Sequence, residues 1–200
     1  MYRLFDSAIS GNAYKVRLML SKLSLPFERV EMNVDDGSTR QAAFLAHNPA
    51  GQVPVLELPD GTHLAQSDAI LFYLAEGTTY WPAARLARAQ VLQWMFFEQY
   101  SHEPTIAVVR HWVAHLGKTP ETEPLLTAKV AAGYRVLDVM EGHLAARQFF
   151  VGDRLSIADI ALYAYTHVAS EGGFDLKRSP AINAWLTRVA ADPGHIAITD

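Results

Sequence analysis

Asn48–Glu76 reads NPAGQVPVLELPDGTHLAQSDAILFYLAE: two short strands, a tight turn and a helix. Val53-Pro54 opens the first strand, because proline has no N–H to give a sheet ladder and so belongs at a strand's first residue or in a turn. Val55-Leu56-Glu57-Leu58 is strand-like, Asp60-Gly61 signals a turn, and Thr62-His63-Leu64-Ala65 returns. After Gln66-Ser67-Asp68, the apolar residues Ile70, Leu71, Tyr73 and Leu74 fall at helical spacing. This predicts Ser67 as the helix N-cap, with Asp68 in a first turn where negative charge suits the dipole. Taken alone, the pattern is a hairpin and a well-capped helix. That helix start also leaves unpaired backbone N–H groups, which can receive a carboxylate.

The combination NPxGxVPxL followed by QSxAI is more specific than any of its parts. It resembles the thioredoxin-like half of bacterial glutathione S-transferases. The resemblance implies that the Val53-Pro54 peptide is cis and that Val53 pairs backbone-to-backbone with the cysteinyl part of glutathione. It further implies that Gln66 and Ser67 grip the γ-glutamyl end and that Gln52 contacts the glycyl end, with Thr39 or Arg40 assisting there.

Composition bounds the alternatives. Two hundred residues, 50% of them hydrophobic, can build one domain or two small ones with a real core. Net charge is −4 with Lys and Arg scattered, so no basic footprint for nucleic acid is present. No apolar run approaches the ~18–20 residues of a membrane span. The start MYRLFDSAIS lacks the basic segment and apolar core of a signal peptide, so a cytoplasmic location is expected. There is no cysteine, which rules out disulfides, thiolate metal sites and any protein-thiol mechanism.

Outward from the opening stretch, Tyr2–Asp6 is a strand and Ser7–Asn12 a loop. A helix then runs to about Leu23 with Val16, Met19, Leu20 and Leu23 on one face. Phe27–Met32 alternates like a half-buried strand, giving a β-helix-β opening with a parallel pair. A short helix between Ser38 and Ala46, capped by Ser38 or Thr39, ends before Asn48-Pro49. The order is βαβ–αββα, an α/β thioredoxin-like domain over residues 1–77. Gly77–Pro82 is the expected linker. Residues 83–200 are expected to form an all-α helical domain: a long helix to Leu116 that kinks or breaks near Glu103 at Pro104, then one from Thr119-Pro120-Glu121 to Leu144. In VGDRLSIADI, Val151–Ile160, Ser156 caps a helix, Asp159 reaches back to the cap, and Leu155 and Ile160 can close a hydrophobic staple. This motif serves folding, and it is similar to the capping box in the helical domain of the same family.

Several residues could carry chemistry. His111 and His115 have the i, i+4 spacing of a paired metal site, but no third ligand is evident and no metal is predicted. Trp94, Met95, Phe96, Phe97 and Tyr100 form a stripe that is either core or part of an apolar ligand surface. Tyr100, His102 and Arg110 are candidates for the hydrophobic substrate pocket, or else lie on a solvated helix face. Ser10 lies between the first strand and the first helix, where the resemblance implies the group that activates glutathione. Its spacing from Leu4 and to Val16 matches the serine-type, theta- or nu-like members. Asp6-Ser7 stands where tyrosine-type members carry their tyrosine, and Asn12 matches an auxiliary asparagine. Without the resemblance, Ser10-Gly11-Asn12 is an N-cap loop, and Ser7 is a competing hydroxyl.

The resemblance thus implies a cytoplasmic homodimer that uses glutathione as co-substrate and conjugates its thiol to small apolar electrophiles at a site between two domains. Membrane and nucleic-acid partners are not expected. Glutathione-dependent disulfide or peroxide reduction, and a non-catalytic binding protein of the same fold, stand as alternatives.

Overall fold

The structure, a computed structural model, describes residues 1–200 and divides into two compact units: residues 1–78 with 192–200, and residues 79–191. In the first unit β1 (Tyr2–Asp6), α1 (Gly11–Lys22) and β2 (Phe27–Glu31) form the β-helix-β opening, and β1 pairs parallel with β2. A 3-10 turn (Ser38–Arg40) and the one-turn α2 (Ala42–Leu45) follow. β3 (Val55–Glu57) and β4 (His63–Ala65) form the hairpin, and α3 (Ser67–Ala75) closes the unit. The sheet order is β2-β1-β3-β4 with β3 antiparallel to β1, the arrangement of a thioredoxin-like domain.

The sheet's apolar side chains decide what covers it. On one face Phe5, Phe44 and Val55 pack together, with Val30, Met32, Val53 and Ala65 against them. Leu4 and Leu56, pointing the other way, are fully buried, as are Val16, Leu18, Met19 and Leu20 of α1 and Ile70 and Leu71 of α3. This places α1 and α3 side by side, and with them their N-termini.

The short helices are capped at other residues than the sequence predicts, α2 later and α3 one residue earlier. Gln41, not Ser38 or Thr39, is the N-cap of α2. Gln66, not Ser67, is the N-cap of α3, and Ser67 is its first helical residue. Gln66 holds φ 71° and ψ 112°, a left-handed backbone uncommon for a residue with a side chain. Gly77, just after α3, takes φ +76°, which glycine adopts without cost.

The first unit also holds a buried ionic centre. Asp6, at the end of β1, is fully buried and accepts from Arg17 Nη1 on both oxygens at 2.7 and 2.6 Å, and it forms an ion pair with Arg29, whose Nε lies 2.6 Å from Oδ2. Residues 192–200 return to this unit. Arg17 Nη2 donates to the Ile198 carbonyl at 2.6 Å, the Tyr14 hydroxyl to that of Ile196 at 2.7 Å, and Lys22 Nζ pairs with Asp192 at 2.6 Å. The expected helical domain of residues 83–200 therefore loses its last nine residues to the first unit. The reason is the set of polar partners that α1 supplies.

The second unit is all helical. α4 (Arg85–Phe97) continues without a break into π-helical turns over Glu98–Ala107, α5 (Val108–Arg110) and further π turns over His111–His115. Near Glu103, where a kink or break is expected, the helix does not break. The chain crosses Pro104 in wide turns, and the Thr105 hydroxyl donates to the Ser101 and His102 carbonyls of the turn before the proline. α6 (Glu123–Leu144) starts after Thr122 with a proline in its first turn, later than Thr119-Pro120-Glu121 implies. α7 (Ile157–Thr166) is buried throughout, and α8 (Pro180–Ala191) packs against it and α6. No helix is long and apolar enough to cross a membrane.

Candidate functional site

The site is built where α1 and α3 begin. Ser10 caps α1 with extended backbone, φ −78° and ψ 117°, and its Oγ accepts the Ala13 N–H at 3.2 Å. The Ser10 N–H donates to the Ser7 carbonyl at 2.9 Å, closing the loop. Because the hydroxyl oxygen is the acceptor in the cap, its proton remains for an acceptor beyond the loop. Ser10 is half-buried, whereas Ser7, the rival hydroxyl, is buried.

Asn12, two residues on, joins the two helix starts. Its Oδ1 accepts from the Ser67 hydroxyl at 3.2 Å, across 55 positions of sequence. Ser67 is buried and in turn receives Lys15 Nζ at 3.4 Å, and the same ammonium lies 3.2 Å from Asp68 Oδ1. Lys15 is fully buried, while the Asp68 side chain keeps 16% of its exposure. Gln66, exposed, stands at the lip of α3. Two helix N-termini thus converge, each a source of partial positive charge and unpaired N–H groups. Such an arrangement can hold a carboxylate and stabilise a thiolate.

The loop before β3 forms another wall. The Val53-Pro54 peptide is cis; Val53 is half-buried and Pro54 buried. The exposed Gln52 has its carbonyl fixed by Asn48 Nδ2 at 2.8 Å. Arg40 donates Nη1 to the Ala50 carbonyl at 3.0 Å and lies against Gly51, where an added Cβ would stand 2.9 Å from that nitrogen. Gly51 has φ +62°, so both its conformation and its tight surroundings require glycine. Arg40 therefore holds this loop in place.

The three residues named for a hydrophobic pocket do not gather. Tyr100 is 88% exposed; His102 is fully buried with Nε2 2.9 Å from the Thr166 hydroxyl; Arg110 is buried and paired with Glu171 at 2.7 Å. Burial assigns His102 and Arg110 to holding the helical unit together. The His111 and His115 ring centroids are 6.3 Å apart, and no group of three or more His, Cys, Asp or Glu gathers around a common point.

Sequence reasoning missed Lys15. It was one of many scattered charges on α1, yet its spacing of three from Asn12 puts the two on one helix face. Asp68 supplied the complementary charge at the start of another helix. Only the packing of α1 on α3 makes a pair of them.

Residues 9–76 match the model of the glutathione S-transferase N-terminal domain, and residues 96–193 that of the C-terminal domain. The chain belongs to the glutathione S-transferase family. It is 50% identical to a glutathione S-transferase of Pseudomonas fluorescens of known structure, with a TM-score of 0.97 over 100% of this chain and 99% of that one. Glutathione S-transferase 3 of Zea mays is 31% identical over 202 residues, spanning 96% of this chain and 90% of its own. The structure of Ure2p in complex with glutathione is similar too, at 26% identity and a TM-score of 0.86 over 96% and 95% of the two chains.

Proposed function

We propose that this transferase-family protein binds glutathione in the first unit and conjugates its thiol to small apolar electrophiles. The observation that carries the reading is the Asn12–Ser67 hydrogen bond, which fixes the starts of α1 and α3 beside each other. A tripeptide thiol with a carboxylate at one end suits that arrangement. Gln66, Ser67 and the α3 N-terminus take the γ-glutamyl carboxylate; Val53 offers its backbone to the cysteinyl part, next to Pro54; Gln52 faces the glycyl end, on a loop held by Arg40. That Ure2p is known in complex with glutathione supports the ligand. Exposed Phe96 and Tyr100 give the helical unit apolar surface suited to an electrophile, and exposed Phe72 and Tyr73 on α3 give the first unit a surface suited to a homodimer.

Ser10 is the activating group. A free thiol has pKa ~8.5, so little thiolate is present near neutral pH. A serine hydroxyl is too weak a base to take the proton, but as a donor it favours the anion. A hydrogen bond to a charged group is worth about 1.5–3 kcal/mol, and a helix N-terminus adds ~0.3–1 kcal/mol. At 1.36 kcal/mol per unit, the bound thiol falls to about 5.5–7. The thiolate then attacks the electrophilic carbon, forming the C–S bond as the leaving group departs with its electron pair; the thiol proton goes to solvent.

Ser10→Ala tests this. Glutathione binding should stay nearly intact, turnover of an aryl halide at pH 6.5 should fall, and the pH–rate midpoint should move up. A midpoint that stays in Ser10→Ala and moves in Ser7→Ala or Asn12→Ala gives the role to the other residue.

A further inference from the structure

Lys15 is the feature of this site that the reading above leaves unused. Its ammonium is fully buried, which is rare for lysine and costly unless the charge is matched. It lies 3.2 Å from Asp68 Oδ1 and 3.4 Å from Ser67 Oγ. Both contacts join α1 to the first turn of α3, the place where a ligand carboxylate would dock.

Asp68 poses a problem for that docking. An acidic residue in a helix's first turn draws on the same dipole and N–H groups as an incoming anion, and it repels that anion. With a neutral residue at position 15, the ligand carboxylate would meet a negative charge that Lys15 no longer offsets, one residue from Ser67. The Lys15 ammonium cancels this charge from beneath. It also fixes the Ser67 rotamer: the hydroxyl accepts from Lys15, leaving its single proton for Asn12 or a ligand.

We propose that Lys15 is a positioning residue that neutralises Asp68, so that the start of α3 selects a γ-glutamyl group carrying its α-carboxylate; this rests on the glutathione reading of the site. Lys15 holds Ser67 and Asp68 at the start of α3 and is assigned no part in the chemical step. Its effect belongs in KM and in ligand discrimination, not in kcat.

The test compares glutathione with γ-aminobutyryl-cysteinyl-glycine, the same tripeptide thiol without that α-carboxylate, by calorimetric titration and by initial rates. Wild type should prefer glutathione. Lys15→Met, which keeps the stem's volume, should lower that preference by roughly tenfold through loss of the Lys15–Asp68 pair, with kcat at saturation unchanged. Asp68→Asn, with Lys15 in place, should shift the preference the other way. Lys15→Met/Asp68→Asn should return it to within about threefold of wild type, the residual expected when a matched pair is removed together. The Asp68→Asn readout holds even if Lys15→Met folds poorly, which melting curves reveal. An unaltered preference in Lys15→Met, a double variant no better than Lys15→Met, or an Asp68→Asn shift toward the decarboxylated thiol would each overturn the proposal. A wild type that binds neither thiol would overturn the glutathione reading itself, and this inference with it.

Discussion

Asp159 is the residue whose removal should cost the fold most while leaving the chemistry untouched. It is fully buried at the start of α7. Oδ1 accepts the Phe150 N–H and the Trp185 Nε1–H, both at 3.0 Å; Oδ2 accepts the Ser156 N–H and hydroxyl, both at 2.9 Å. One carboxylate thus ties the approach to α7, its N-cap and the buried indole of α8. Asp159→Ala strands three donors that cannot turn away, while the Ser156 hydroxyl can rotate. A stranded buried donor costs about 1–3 kcal/mol, and releasing a buried charge returns part of this, so the net loss should be about 3–5 kcal/mol. For a chain of this size that lowers the melting temperature by on the order of 10 °C.

Burial pushes the Asp159 carboxyl above its ordinary range, against the pull of its four donors. The folded state therefore holds that proton more tightly than the unfolded one, and the residue's contribution declines as pH rises from about 4 through the raised value. The stability gap between wild type and Asp159→Ala should widen as pH is lowered from 7 toward about 4, opposite to the trend of an ordinary salt-bridged carboxylate. Urea melts at the two ends of that range, run beside turnover per folded molecule, give the answer. A normal melt with lost turnover would refute the structural assignment; a gap that narrows at the lower end would refute the pH argument.

In the first unit, Asp6→Asn should destabilise by about 3–5 kcal/mol, because it leaves Arg17 buried without its counter-ion; Asp6→Leu/Arg17→Met, which removes the fully buried pair and leaves the part-exposed Arg29 with Glu31, should recover most of this in chemical denaturation. His143 is stacked on Phe150 with Nε2 2.9 Å from its carbonyl, and burial holds its pKa below the usual imidazole value. Its stabilising neutral form is fully present above the unfolded value of about 6.5 and is lost as pH falls through the lower folded one, so His143→Phe should flatten that limb of a stability–pH profile.

How far sequence reaches depends on the distance over which a feature is decided. Ser156 and Asp159 are three apart, and their capping pattern is visible in the letters alone. The βαβ–αββα order follows from periodicity and turn residues within windows of a dozen positions. Cap positions slipped by one to three residues, because Ser67, Ser38 and Thr119 all have the chemistry of a cap and only backbone geometry chooses among neighbours. Pro104 misled differently: a proline removes one N–H, which breaks an ordinary helix, but wider turns with Thr105 behind them carry the chain through.

The charges were the least legible, and for a physical reason. Nothing in the local pattern distinguishes Lys15 and Arg17 from the arginines and lysines that stay in water, yet both are buried. A cation enters a core only when an anion from elsewhere meets it, and the anions here are Asp6, 11 positions before Arg17, and Asp68, 53 positions after Lys15. The tail obeys the same logic, since residues 192–200 join the first unit through Arg17, Tyr14 and Lys22, 170 to 182 positions away. Ser10 and Ser67 lie between these extremes. Each marks a helix start that its own neighbours announce, but what makes one site of two helix starts is the Asn12–Ser67 bond. That bond exists only because the apolar faces of α1 and α3 pack on one side of the sheet. The site's parts are thus set locally, and its assembly is set by the core.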